Sequence, residues 1–197
     1  MRGVDQIPWL YDAFLAAAEW RGLGAWRRWL ASGSRGRALD LGCGTGRDLP
    51  LFPTGVRAVA LDPHPQNLRR ARRRAPRVPL VRARAEALPF RDGAFDTVVS
   101  GLVFCSVADP ARALAEVRRV LSPGGALRML EHVRSRRGAW GRVQDLLQPA
   151  WTRVAGGCRP NRDTERAVEA AGFAIEEAGR RERGTMRRFQ ARVRTRG

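Results

Sequence analysis

Asp40, Gly42, Gly44, Gly46 and Asp62 are the residues whose types and spacing promise chemistry. The three glycines alternate with Cys43 and Thr45 directly after the apolar run Leu39-Asp40-Leu41. Glycine takes φ > 0 freely and has no side chain, so such a loop lets the backbone approach a ligand closely. A dinucleotide loop reads G-x-G-x-x-G, and a phosphate-binding P-loop needs Gly-Lys-Ser/Thr after its glycines. Here the spacing is Gly42-x-Gly44-x-Gly46, and Arg47-Asp48 follows. A carboxylate at Asp40, just before the loop, sits badly against a pyrophosphate and well against a cation. Asp62 falls about twenty residues past the first glycine, where an acidic side chain accepts from ribose hydroxyls. A cationic amino acid joined to a nucleoside satisfies both carboxylates. That ligand is S-adenosylmethionine.

The elements that must position these residues alternate along the chain. Short apolar runs at Arg37–Leu41, Val56–Leu61, Leu80–Ala83, Phe95–Ser100 and Ala126–Glu131 have the length of buried strands. Helical patterns at Leu68–Ala75 and Pro110–Leu121 lie between them. In the second, Asp109 suits the N-cap, Pro110 the first turn, and Leu114, Val117 and Leu121 share a face before Ser122-Pro123-Gly124-Gly125 ends it. A helix at Asp163–Ala171, closed by Gly172, precedes two strands, Phe173–Glu177 and Met186–Val193. The alternation predicts an α/β fold, a parallel sheet with helices on both faces. With no repeat or low-complexity linker, 1–197 reads as one domain: a helical lid over 1–34, a cofactor core over 35–134, and a substrate-side lid helix with C-terminal strands over 135–197.

Two segments stand outside the alternation. Ile7–Leu30 sets Trp9, Leu10, Phe14, Trp20, Trp26 and Trp29 among Arg21, Arg27 and Arg28, and Gly138–Gly157 carries Trp140, Val143, Leu147, Trp151 and Val154 at near-helical spacing. Each predicts an amphipathic helix that packs its aromatics on the body of the domain. The first also has the composition of a helix lying on a membrane surface.

The formal charge of +18 is the signature of an anionic partner, nucleic acid or membrane. Yet all 37 basic side chains are arginine, which a GC-rich genome produces without any partner. No run approaches the ~20 apolar residues of a membrane span, and Asp5, Asp12 and Glu19 break up the N-terminal apolar residues. Three widely spaced cysteines, Cys43, Cys105 and Cys158, suggest neither a disulfide framework nor a metal site. The expectation is a cytoplasmic protein, membrane-peripheral if the Trp-rich segment binds lipid.

The runs ALDLGCGTG, VALDPHP, ARAEALPFRDGAFDTVVSGLVFCSV and ALAEVRRVLSPGGALRMLEHV together resemble a class I S-adenosylmethionine-dependent methyltransferase from about Ala38 to Val133. The resemblance implies a doubly wound, mostly parallel seven-stranded sheet with the cofactor at the carboxyl ends of its strands. It implies that Asp40, Gly42, Gly44 and Gly46 surround the methionine part and that Asp62 holds the ribose, with Pro63 beside the adenine. Ala85 and Glu86 then lie along the adenine edge, and Ser100 and Gly101 pass near the amino group. Arg84 departs from the family pattern, which has an acid there. A narrower resemblance, to the methyltransferase-like thiol S-methyltransferases, rests on LVFCSVADP, EVRRVLSPGG, EHVRS, Trp140, QPAW, GGC and RDT. Those proteins carry a hydrophobic N-terminal anchor, where this chain has its amphipathic segment.

Methyl transfer needs alignment and exclusion of water more than elaborate side-chain chemistry. His132, at the end of the fifth strand, either accepts a proton from the acceptor or bonds a neighbouring loop. Tyr11 either closes over the methyl group from the N-terminal lid or packs in the core. Glu131 reads as structural, paired with an arginine, His64 as a turn residue, and the cysteines as inert fillers. The expected partner is a small-molecule acceptor, a thiol first and a lipid or quinone second. RNA methylation is disfavoured, because no Asn/Asp-Pro-Pro-Tyr/Phe motif and no Pro-Cys pair occur.

Overall fold

The strands are β1 (Arg37–Leu41), β2 (Arg57–Leu61), β3 (Leu80–Val81), β4 (Phe95–Gly101), β5 (Leu121–His132), β6 (Phe173–Arg183) and β7 (Met186–Val193). They form one seven-stranded sheet, ordered β3-β2-β1-β4-β5-β7-β6, in a computed structural model that describes residues 22–135, 138–154 and 158–194. Strands β1 to β5 pair in parallel, and β7 runs antiparallel between β5 and β6. The helices are α1 (Gly24–Ser32), α2 (Pro65–Arg74), α3 (Pro110–Val120), α4 (Gly138–Val154) and α5 (Thr164–Ala170).

Side chains alternate across a strand, and this sorts the core into two layers. Leu39 and Leu41 of β1, Val98 of β4 and Leu127 and Met129 of β5 pack with Leu114 and Val117 of α3 and Val168 of α5. On the other face Val99 and Leu130 meet Leu30 of α1, and Ala60 of β2 meets Ala71 of α2. Helix α3 starts where its chemistry requires: the Asp109 carboxylate accepts from the Arg112 N–H at 3.0 Å and Pro110 fills the first turn. Asp163 caps α5 the same way, accepting from Arg166 N–H at 3.2 Å.

Three expectations are corrected. Strand β5 reaches back to Leu121, because Leu121 pairs with Phe95 before a register shift brings Thr97 opposite Ala126. Strand β6 continues to Arg183 past an irregularity between Glu176 and Arg181. Helix α4 leaves Val143, Leu146 and Leu147 exposed instead of packing them on the domain. The side chains of Trp140, Trp151 and Val154 lie outside the described residues, as does 7–21 of the N-terminal segment. The described tryptophans do pack: the Arg128 guanidinium lies 4.1 Å over Trp29, and Arg188 lies 4.8 Å over Trp29 and 5.5 Å over Trp26.

Candidate active site

A cavity of about 320 Å³ opens at the carboxyl ends of β1, β2 and β4, the usual ligand position in open α/β sheets. Gly42, Gly44, Asp62, Pro63, Ala85, Glu86 and Gly101 all line it. The glycines have φ of 66°, 54° and 78° at Gly42, Gly44 and Gly46, so only glycine holds each without strain. They do different work. A Cβ on Gly44 would meet nothing within 4 Å, so Gly44 faces the open cavity. A Cβ on Gly42 would stand 2.6 Å from Val103. Gly46 is absent from the lining; a Cβ there would lie 2.9 Å from Ala71, so this glycine lets α2 approach the loop and does not surround a ligand.

Asp62 ties the loop to the end of β2. Its Oδ2 accepts from Gly44 N–H at 3.0 Å, while Oδ1 accepts from His64 N–H at 2.8 Å and from the Asn67 amide at 3.2 Å. Burial raises its pKa, and those three donors pull it back. A carboxylate oxygen accepts more than one hydrogen bond, so Asp62 keeps capacity for a hydroxyl.

Asp40 and Ser100 are corrected, both by strand alternation. Asp40 does not reach the cavity. With Leu39 and Leu41 packed toward α3, it faces α1 and sits completely buried near Asp48, Arg27 and Asp62. Burial first, then the Asp48 charge, raises its pKa well above the ordinary range, with Arg27 opposing. Its Oδ2 has no hydrogen-bond partner. Ser100 is buried on the α3 side, and its hydroxyl donates to Glu131 Oε1 at 3.1 Å.

Glu131 is corrected too: it organises a loop and pairs with no arginine through that oxygen. The same Oε1 accepts from Val103 N–H at 3.1 Å and Phe104 N–H at 3.2 Å, shaping the 101–105 turn that walls the cavity. Full burial pushes its pKa up to about 7 against those hydrogen bonds. Within this turn Leu102 adopts φ 61° and donates its N–H to Leu130 O at 2.7 Å.

Glu86 serves the wall as well. Its Oε1 accepts from Ala108 N–H at 3.0 Å and Asp109 N–H at 3.3 Å, and its Oε2 lies 3.7 Å from Arg84. Burial opposes ionisation, yet those N–H groups and Arg84 hold its pKa below the ordinary value. Arg84, the departure from the family pattern, is therefore paired with the neighbouring carboxylate and lines the cavity with it.

His132 is not among the lining residues; its Nε2 lies 2.7 Å from Thr185 Oγ1, in the turn between β6 and β7. Tyr11 lies outside the described residues. Cys43 is buried and its pKa is driven far up, first by burial and then by Asp40, which keeps the thiol inert.

Sequence reading missed the buried pair Arg27–Asp48. Arg27 Nη1 donates to both Asp48 oxygens, at 2.9 and 2.8 Å. A Cβ on Gly101 would fall 3.0 Å from Asp48 Oδ2, so this glycine lets the pair reach the end of β4. The one available signal was Arg27 within an otherwise apolar stripe of α1.

These features fit S-adenosylmethionine. Gly44 leaves space beside the loop, Asp62 offers an acceptor at the end of β2, and Asp40 keeps an unpartnered oxygen buried behind the loop.

Comparison with known proteins agrees. A methyltransferase domain family matches residues 39–129. The human thiol S-methyltransferases TMT1B and TMT1A are 37% and 36% identical over 144 residues, which is 69% of this chain and 59% of each relative. The chain thus spans 59% of the length of those curated relatives. An S-adenosylmethionine-dependent methyltransferase from Mesorhizobium loti superposes with a TM-score of 0.65 at 22% identity, over 88% of this chain and 97% of that one, and shows the same fold.

Proposed function

This chain belongs to the class I S-adenosylmethionine-dependent methyltransferases, and from that premise we propose that it methylates a small molecule, with a thiol as the favoured acceptor. When bound, S-adenosylmethionine supplies an electrophilic methyl group with its leaving group built in. The chain's own residues bind and align. Gly42 and Gly44 leave the backbone open to close approach, and Asp62 accepts from ribose hydroxyls with the oxygens that also hold the loop. Pro63 and Ala85 flank the base, and Asp40 stands buried behind the loop. The turn held by Glu131 supplies Leu102 and Val103 as an apolar wall that keeps water out.

The observation that carries the thiol is how the carboxylates of the lining are used. Asp62 and Glu86 are both engaged by backbone N–H groups. An acceptor here must lose its proton with little help. A thiol, with pKa ~8.5, is already a few per cent thiolate near neutrality, whereas carbon and nitrogen acceptors need firmer proton removal. The similarity to two human thiol S-methyltransferases points the same way. His132, through Thr185, takes the role of positioning the β6–β7 turn beside the end of β5.

A second reading is favoured by α4, where Leu146 is 80% and Leu147 58% exposed on a chain of charge +18. An acceptor presented at an anionic membrane surface, a lipid or quinone, suits that face. No helix among the described residues is long and apolar enough to cross a membrane.

The test is release of S-adenosylhomocysteine when the purified protein is mixed with S-adenosylmethionine and a small alkyl thiol. Turnover that depends on the thiol is expected. Cofactor binding in the same sample without turnover would discard the thiol, and anionic vesicles carrying lipid or quinone acceptors would follow.

A further inference from the structure

We propose that Cys105 and Cys158 form a redox-active dithiol that a peroxide closes to a disulfide across the wall of the cavity. The two residues are far apart in sequence, yet Arg159 donates its backbone N–H to Cys105 O at 2.7 Å, which sets the neighbouring Cys158 beside Cys105. The two thiols are near enough to influence each other's ionisation. Cys105 is 4% exposed and Cys158 is half-buried, so one sulfur is shielded and its partner is open to a small oxidant. Among the described residues no group of three or more His, Cys, Asp or Glu side chains is placed to hold a metal ion, so the pair is not part of such a site.

The surroundings prepare the pair for closure. Arg162 Nη1 donates to Phe104 O at 2.5 Å and Val107 O at 2.6 Å, clamping the turn that carries Cys105. Its guanidinium lies near both sulfurs. Cys105 is buried and Cys158 the more exposed of the two, so the Cys158 sulfur attacks the peroxide first. One peroxide oxygen passes to the Cys158 sulfur with loss of water, leaving a sulfenic acid. The Cys105 sulfur then bonds to it, the S–O bond breaks, and the hydroxyl leaves as a second water with the Cys105 proton. The dithiol gives up two electrons and the peroxide accepts them.

Cys105 lies between Val103 and Ser106, which line the cavity. Closure therefore fastens that wall to the segment leading into α5, whatever the acceptor of the methyl group. The experiment treats the reduced full chain with an equivalent of hydrogen peroxide, followed by alkylation, non-reducing tryptic mass spectrometry and thermal unfolding. The expected result is an intact mass lower by two hydrogens, a cross-linked Cys105–Cys158 peptide pair, and Cys43 alone alkylated. The melting temperature should rise by roughly 5–10 °C. Cys105→Ser should stop at a Cys158 sulfenic acid that dimedone captures, and Cys158→Ser should show neither product. Three alkylatable thiols after peroxide, over-oxidation of Cys158 without a cross-link, or a disulfide-linked dimer would each overturn the proposal.

Discussion

Replacing Asp62 separates holding the loop from holding the ligand. In Asp62→Ala the donors from Gly44, His64 and Asn67 lose their acceptor. Hydrogen bonds to a charged group contribute about 1.5–3 kcal/mol each, but the variant is also relieved of a buried charge. A net destabilisation of about 2–4 kcal/mol follows, or roughly 5–12 °C in melting temperature for a chain of this size. Loss of the ribose acceptor and of the Gly44 anchor removes a further ~3 kcal/mol from cofactor binding, which is more than a hundredfold in Kd. Asp62→Asn is the sharper probe. Its single oxygen can serve His64 and Asn67 together, but its NH₂ then faces the Gly44 N–H, donor against donor. Affinity should fall at least tenfold with a stability loss of about 1–2 kcal/mol. Isothermal calorimetry with S-adenosylmethionine and ligand-free thermal unfolding read the two effects independently. An Asp62→Ala affinity within about threefold of the parent would refute the assignment. A lowered melting temperature with unchanged affinity would leave Asp62 a loop anchor only.

Two further outcomes are expected. Glu131 binds its proton more tightly in the native state, with a pKa raised from 4.5 to about 7. Its contribution to stability therefore declines as pH rises through that window, by up to about 3 kcal/mol; Glu131→Gln should flatten this part of the curve, and an unchanged profile by denaturant titration would remove Glu131 as its source. Arg27→Met strands the buried Asp48 and Asp40 carboxylates, so stability should drop by about 3–5 kcal/mol near neutral pH. Part of it should return in acid as Asp40 takes up a proton, and a loss equal at all pH values would mean packing alone was removed.

The glycine loop and Asp62 were legible because their requirements are local. A run of positive φ angles demands glycine at fixed spacing, and Asp62 directly follows the apolar run that forms β2. The Asp109 helix cap was legible for the same reason. Asp40 and Ser100 were misjudged by one step of strand periodicity: a residue at a motif position need not point at the motif's ligand. Glu131 and the Arg27–Asp48 pair were hidden because each makes contacts across 21 to 31 residues of sequence, and only the assembled sheet brings the partners together. The exposed face of α4 shows the converse, since an apolar stripe at helical spacing does not state what will cover it.

Leu102 carries a consequence of its own. It is the one non-glycine residue with positive φ among those described, where an L side chain gives up about 1–2 kcal/mol that glycine would not. A backbone preference has been overruled to keep a branched aliphatic group at the mouth of the cavity. Leu102→Gly would make the polypeptide more comfortable and the pocket wetter. The conflict between what this residue prefers and where it stands sets an apolar lining of the cavity against the ease of the backbone that carries it.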